Sequence, residues 1–303
     1  MSTQTNIREQ VTNKIVDALR AGTPPWRKPW RNDRTNTGAA ANAASGMNYR
    51  GVNALLLGLA EYESRWWATY AQIQTLGGRV RKGERATQIV YWREVERVVA
   101  TTAAGVDVID TFPLMKTYSV FNVAQTDGLE KFQTRSRPGV TFEDFGPVEA
   151  VISATGADIR HGGDRAFYNT VRDFIQLPPR ESFESRAAYY GTVTHEMCHW
   201  TGHQARLDRL TKNARFGDRQ YAVEELVAEI GGAFLCTEVG VPQSDDLSNQ
   251  TAYLASWLAV LERDATAIFT AAGQASRAVD YILSFSRHGA GEERRAVTTG
   301  AVA

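Results

Sequence analysis

The residues best suited to chemistry lie in "YYGTVTHEMCHWTGHQARLDRL", positions 189–210, where His195, Glu196 and His199 spell H-E-x-x-H. On an α-helix, positions i and i+4 project from one face, so both imidazoles can reach one ion. The glutamate between them is offset so that it can take a proton from water. Two neutral imidazoles would then hold a divalent metal, zinc first with manganese as the alternative, and Glu196 would be the general base. The three letters alone also fit a helix with two unrelated histidines, so a third ligand has to decide. Three residues after Gly202, where some zinc peptidases carry a histidine, stands Ala205, and His203 has the wrong spacing.

Downstream, "YAVEELVAEIGGAFLC" offers Glu224, Glu225 and Glu229 on a helix that otherwise reads as buried. Glu225 and Glu229 are i and i+4 and share a face with Ala222, Leu226 and Ala233. Carboxylates on a buried face are costly unless compensated, and a dication would compensate them. Two histidines and one glutamate form a catalytic zinc set that leaves a fourth position open. Glu229 is favoured as the ligand, because Gly231 and Gly232 just beyond it would let the two helices approach closely. Glu225 would then orient a histidine through its free N–H, or take the ligand place itself. Glu224 is expected to be a solvated charge. No G-x-S-x-G is present, and Cys198 and Cys236 read as buried thiols without activating partners, so nucleophilic catalysis is set aside.

The first half has a different character. Its net charge is hidden by the zero total of the chain: residues 20–93 hold 12 Lys and Arg against 4 Asp and Glu, and five of the seven tryptophans. Trp26 and Trp30 alternate with Arg27, Lys28 and Arg31, and further along come Arg79, Arg81, Lys82 and Arg85. Flat side chains stack on unpaired bases while cations follow the phosphates, so the mixture favours single-stranded over duplex nucleic acid. Trp26 and Trp30, in a Pro-rich loop, are the stacking candidates; Trp66, Trp67 and Trp92 are expected in the core.

These residues need elements to hold them. Ile7, Val11, Ile15, Val16 and Leu19 mark a helical face that Gly22 and two prolines stop. Short helices follow in "NYRGVNALLL" and "TYAQIQTLGG", then alternating strands, with "RKGE" as the turn between two of them. This makes an α+β first domain over 1–128. A polar linker follows at 129–146. A second domain over 147–288 has short strands followed by helices near 182–201, 221–239, 249–273 and 275–285, and residues 289–303 are a flexible tail. No run has the ~18–20 apolar residues of a membrane span, and no signal-peptide pattern is seen, so a cytosolic setting without membrane contact is expected.

"PWRKPW", "NYRGVNALLL", "LGGRVRKGERATQIVYW" and "YSVFNVAQTDGL" resemble the N-terminal domain of the ArdC antirestriction proteins, which is shared with primases of conjugative plasmids. "FYNTVRDFIQLPP", "YYGTVTHEMCHWTGHQARLDR" and "YAVEELVAEIGGAFL" resemble the zincin-like C-terminal domain of the same family, of the gluzincin type. The resemblance spans about residues 5–285 in order, with the metal site mapping onto His195, Glu196, His199 and a glutamate of "EELVAE". It implies a single-stranded-DNA-binding domain followed by a metallopeptidase-type domain. The whole would be a plasmid-encoded protein that enters a recipient cell with transferred DNA and shields it from host restriction. Two alternatives remain: a metalloprotease that cleaves a restriction subunit or another DNA-associated host protein, and a DNA-binding primase accessory with an inert metal site.

Overall fold

The computed structural model describes the chain except residues 1–2, 22–23, 25, 27–37, 61, 63, 102–106, 133–144, 211–218, 243–247 and 300–303. Arg27, Lys28, Trp30 and Arg31, and most of the expected linker, lie outside the described residues.

The first half opens with α1 (Thr3–Arg20), whose apolar face buries Val11, Ile15, Val16 and Leu19 as the spacing predicts. β1 (Ala41–Asn42), α2 (Val52–Gly58), β2 (Trp66–Ala68), α3 (Tyr70–Thr75) and β3 (Arg79–Val80) are short. β4 (Thr87–Thr101) and β5 (Asp107–Asn122) then form a long antiparallel hairpin, followed by β6 (Thr126–Asp127). The sheet order is β1-β2-β5-β4, which leaves β4 at an edge. Asn53 of α2 closes part of that edge: its amide donates to the Val90 carbonyl and accepts from the Val90 N–H, each at 2.8 Å. A side-chain amide thus supplies both partners a neighbouring strand would have offered.

Two expectations for this half change. The strands flanking "RKGE" do not pair with each other; β3 pairs with β6, Arg79 opposite Asp127 and Val80 opposite Thr126. The Arg81 guanidinium fastens this arrangement by donating to the carbonyls of Thr126 and Ala124 and to Glu84. Trp67 is fully buried, but Trp92 is 41% exposed, with the Arg8 guanidinium 5.4 Å over its ring. Trp92 shares a face with its cross-strand partner Met115, which is buried under α1 and α2, but the indole reaches beyond that cover.

The second half begins with α4 (Gly146–Thr155), then β7 (Ile159–His161), β8 (Phe167–Asn169) and β9 (Phe174–Leu177) in the order β7-β9-β8. Four helices follow: α5 (Arg186–Thr201), α6 (Arg219–Val239), α7 (Ser248–Arg263) and α8 (Ala267–Thr299). Ser185 caps α5 by accepting from the Ala188 N–H. The single helix expected over 249–273 is divided at Asp264, whose Oδ1 accepts from both the N–H and the hydroxyl of Thr266. Such a side chain offers the backbone an alternative to helix continuation. α8 then absorbs the helix expected at 275–285 and runs on through much of the expected tail.

The two halves are not separate cores. Ile15, Val16, Leu19 and Leu55 from the first pack with Leu226, Ile230, Trp257 and Ile268 from the second in one buried cluster. Polar contacts reinforce the joint: Arg20 with Glu262 at 2.8 Å, Asn48 with Glu238 at 2.8 Å, and the Gly51 N–H on Ser276.

α5 and α6 cross closely because glycines allow it. A Cβ on Gly231 would sit 2.7 Å from Cys198 Sγ, and one on Gly232 would sit 3.1 Å from the His195 backbone nitrogen. Gly231→Ala should therefore cost about 1–3 kcal/mol of stability through overpacking. In chemical denaturation, the double change with Cys198→Ala should lose less than the sum of the two single changes.

Candidate metal centre

His195 and His199, one turn apart on α5, turn their rings toward α6, with ring centroids 4.9 Å apart. His195 Nε2 lies 3.6 Å from Glu225 Oε2, and His199 Nε2 lies 3.7 Å from Glu225 Oε1. Ligand atoms of these three side chains all fall within 4.8 Å of one another. Two ligands each ~2.1 Å from a tetrahedral ion stand about 3.4 Å apart, so the observed gaps are those a metal would need with little rearrangement. The donor set of two imidazoles and one carboxylate fits zinc or a harder divalent ion such as manganese.

The opposite ring edges are held as well. His199 Nδ1 lies 3.0 Å from Glu224 Oε1, and His195 Nδ1 lies 3.7 Å from Glu229 Oε2. A carboxylate at Nδ1 keeps the proton on that nitrogen and leaves Nε2 as the lone-pair donor. The geometry differs from expectation: Glu225, not Glu229, faces both Nε2 atoms, and Glu229 faces Nδ1 of His195. The two glutamates are one turn apart on α6, and the close glycine crossing brings the earlier turn against the imidazole edges.

Glu224 also departs from expectation. It is largely buried, and Arg209 grips it with Nε on Oε2 at 2.8 Å and Nη2 on Oε1 at 2.9 Å. Burial pushes its carboxyl up, but the His199 and Arg209 contacts prevail and hold it below the ordinary range. Burial likewise opposes ionisation of Glu225, yet its contacts with His195 and His199 bring it down to about 2. Burial pulls His195 down, but its carboxylate neighbours, Glu225 first, raise it well above the ordinary imidazole value. Glu196 is raised by burial, partly countered by the two histidines.

Glu196 also accepts from the backbone N–H of Tyr168 on the edge strand β8. These residues line an open cleft of about 1600 Å³, bounded by Phe167, Tyr168, His195, Glu196 and Tyr221. The Tyr168 phenol is fixed by Asp173 and Arg206, and Arg206 lies over the Trp200 ring. His161 pairs with the Tyr189 hydroxyl at 3.0 Å. Both cysteines are buried, which pushes their thiols up to about 12 for Cys198 and about 11 for Cys236.

The candidate nucleic-acid residues are more scattered. Trp26 is buried, 4% exposed, and cannot stack on a base from that position. Its core partners come from α6, α7 and α8, which the Pro-rich sequence around it does not reveal. Arg79 pairs with Asp127, and Arg81 is engaged in its turn, while Lys82 and Arg85 are exposed.

Residues 5–121 match the N-terminal domain of the anti-restriction factor ArdC, and residues 147–274 match a zincin-like metallopeptidase domain. The metal-free crystal structure of the antirestriction ArdC protein from plasmid R388 superimposes with a TM-score of 0.74 at 39% identity, covering 93% of this chain and 98% of that one. This chain belongs to the ArdC antirestriction family. The same R388 protein has been solved with Mn(II) bound, and this chain matches that structure with a TM-score of 0.73 at 38% identity. The uncharacterized protein y4eC of Sinorhizobium fredii (strain NBRC 101917 / NGR234) is 36% identical over 92% of each chain. DNA primase TraC of Escherichia coli is 36% identical over 92% of this chain, which spans 27% of the primase. The zincin-like domain and the manganese-bound relative point to a divalent metal in this ArdC-type chain. Among the described residues no helix is long and apolar enough to cross a membrane.

Glu224 and Arg209 are the site residues the sequence did not disclose. Tandem glutamates on a buried helix cannot share one face, so the second carboxylate had to find a cation, but nothing in the spacing marks Arg209 as that cation. Arg209→Met would leave the carboxylate buried without it, costing about 3–5 kcal/mol. Thermal unfolding of the metal-free protein measures the loss, which should shrink in the double variant Arg209→Met with Glu224→Gln.

Proposed function

We propose that this chain is an antirestriction protein that binds single-stranded DNA entering a cell by conjugation and protects it from host restriction, with a metal-dependent, peptidase-like second domain. The observation that carries the second part is the pair of imidazole Nε2 atoms facing the buried Glu225 carboxylate. His195, His199 and Glu225 hold the ion, zinc by donor preference, with manganese supported by the R388 relative. Once bound, such an ion polarises a carbonyl and acidifies water. Glu196 takes the proton from the attacking water and delivers it to the leaving amine, and its raised carboxyl makes it a competent base. β8 lies at the edge of its sheet, where an extended peptide can lie as a further strand.

With Trp26 buried, the strand-binding surface moves to the hairpin. Tyr91 and Tyr118 are exposed, meet edge to face at 5.7 Å, and share a sheet face with Lys116, the cross-strand partner of Tyr91. Such aromatic and cationic neighbours suit bases and phosphates of a single strand. The double change Tyr91→Ala with Tyr118→Ala should weaken oligo-dT binding about tenfold or more, measured by fluorescence anisotropy across a salt series. An unchanged Kd with an unchanged salt slope would remove the hairpin from the interface.

A second reading is favoured by the open cleft beside Glu196: an active metalloprotease whose first domain only delivers it to a DNA-associated host protein. Glu196→Gln separates the two, because it spares the three ligands. The variant should keep its metal and its DNA affinity. Retained protection of transferred DNA in a restricting recipient supports protection by binding; lost protection assigns it to hydrolysis.

A further inference from the structure

Trp26 lies 160 residues before the start of the H-E-x-x-H helix in sequence, yet its side chain reaches the metal centre. The indole packs edge-on against Trp257, with ring centroids 5.7 Å apart, and its Nε1–H donates to Glu229 Oε1 at 3.2 Å. The other oxygen of that carboxylate, Oε2, lies 3.7 Å from His195 Nδ1. A glutamate has several rotatable bonds, and another negative group, Glu225, lies one turn away to repel it. A buried indole N–H can only donate, so at this place it can only hold an acceptor. The carboxylate is thereby fixed between one donor from the first domain and one imidazole from the second.

We propose that Trp26 is a positioning residue through which the first domain completes the metal centre: its N–H fixes Glu229, and Glu229 fixes the His195 ring with Nε2 toward the ion. The inference rests on the metal-centre reading above. By thermodynamic reciprocity, metal occupancy in turn strengthens the seating of Trp26 on the second domain. Packing alone would not need the N–H. Trp257, in the same cluster, is fully buried and its Nε1 has no partner among the described residues, which makes it the natural control.

The test is Zn²⁺ affinity of the full chain, by competition with a chromogenic chelator, for wild type, Trp26→Phe, Trp257→Phe and Glu229→Gln. Losing an outer partner of a metal-bound histidine typically costs about 10–100-fold in affinity, and Trp26 acts one contact further out, so about 3–10-fold is expected for Trp26→Phe. Trp257→Phe should stay near wild type although it loses the same ring atoms, and Trp26→Phe should add little in the Glu229→Gln background. Equal losses in the two Phe variants would reduce Trp26 to packing and overturn the proposal, as would an unchanged affinity in Trp26→Phe. Should the smaller ring unfold the protein, benzothienylalanine at position 26, a tryptophan isostere with sulfur in place of N–H, makes the same comparison. A wild type that binds no Zn²⁺ would instead refute the metal centre itself.

Discussion

Four carboxylates, those of Glu196, Glu224, Glu225 and Glu229, converge on two imidazoles between α5 and α6, and such negative charge persists in an interior only where cations meet it. Arg209 answers Glu224. The remaining charge is what raises His195 so far when only a proton is at hand. The rest of the second domain can be understood as what keeps this cluster close. Gly231 and Gly232 remove the side chains that would hold the helices apart, and Ile175, Leu177, Val193 and Met197 fill the space beneath. Tyr168 pins the Glu196 carboxylate from the sheet side.

The cluster also draws on the first domain. Among the described side chains around it, Trp26 is the one contributed by the basic, aromatic half, and it arrives through the same buried seam that joins α1 and α2 to α6, α7 and α8. Arg27 and Lys28 follow it directly in sequence. A segment composed like a nucleic-acid contact therefore begins at a side chain anchored on Glu229, beside the imidazole pair.

The sequence disclosed what depends on short-range spacing. The i, i+4 histidines, the amphipathic α1 and the glycine pair all follow from periodicity or from the size of one residue. What it concealed depends on how elements cross. Glu225 and Glu229 occupy one helical face a single turn apart, and only the position of α6 along α5 decides which of them meets Nε2. Trp26 reads as exposed because prolines surround it, whereas its partners Trp257 and Glu229 lie some 200 residues downstream. β3 takes β6 rather than its neighbour because Arg81 and the surrounding turns set the register, and a two-residue strand carries too little pattern to show this. The interruption at Asp264 was readable in principle, since an acidic side chain two residues before a threonine can capture its backbone, but the apolar periodicity on both sides masks it.

The buried seam between the halves limits how this unit can move between proteins. Cutting the chain between the two halves would bare Ile15, Leu19 and Leu55 on one fragment and Leu226, Trp257 and Ile268 on the other. Gene fusion and recombination are thus constrained to carry both halves as one cassette. The Escherichia coli primase fits that constraint: its similarity to this chain runs through 293 residues, across both halves.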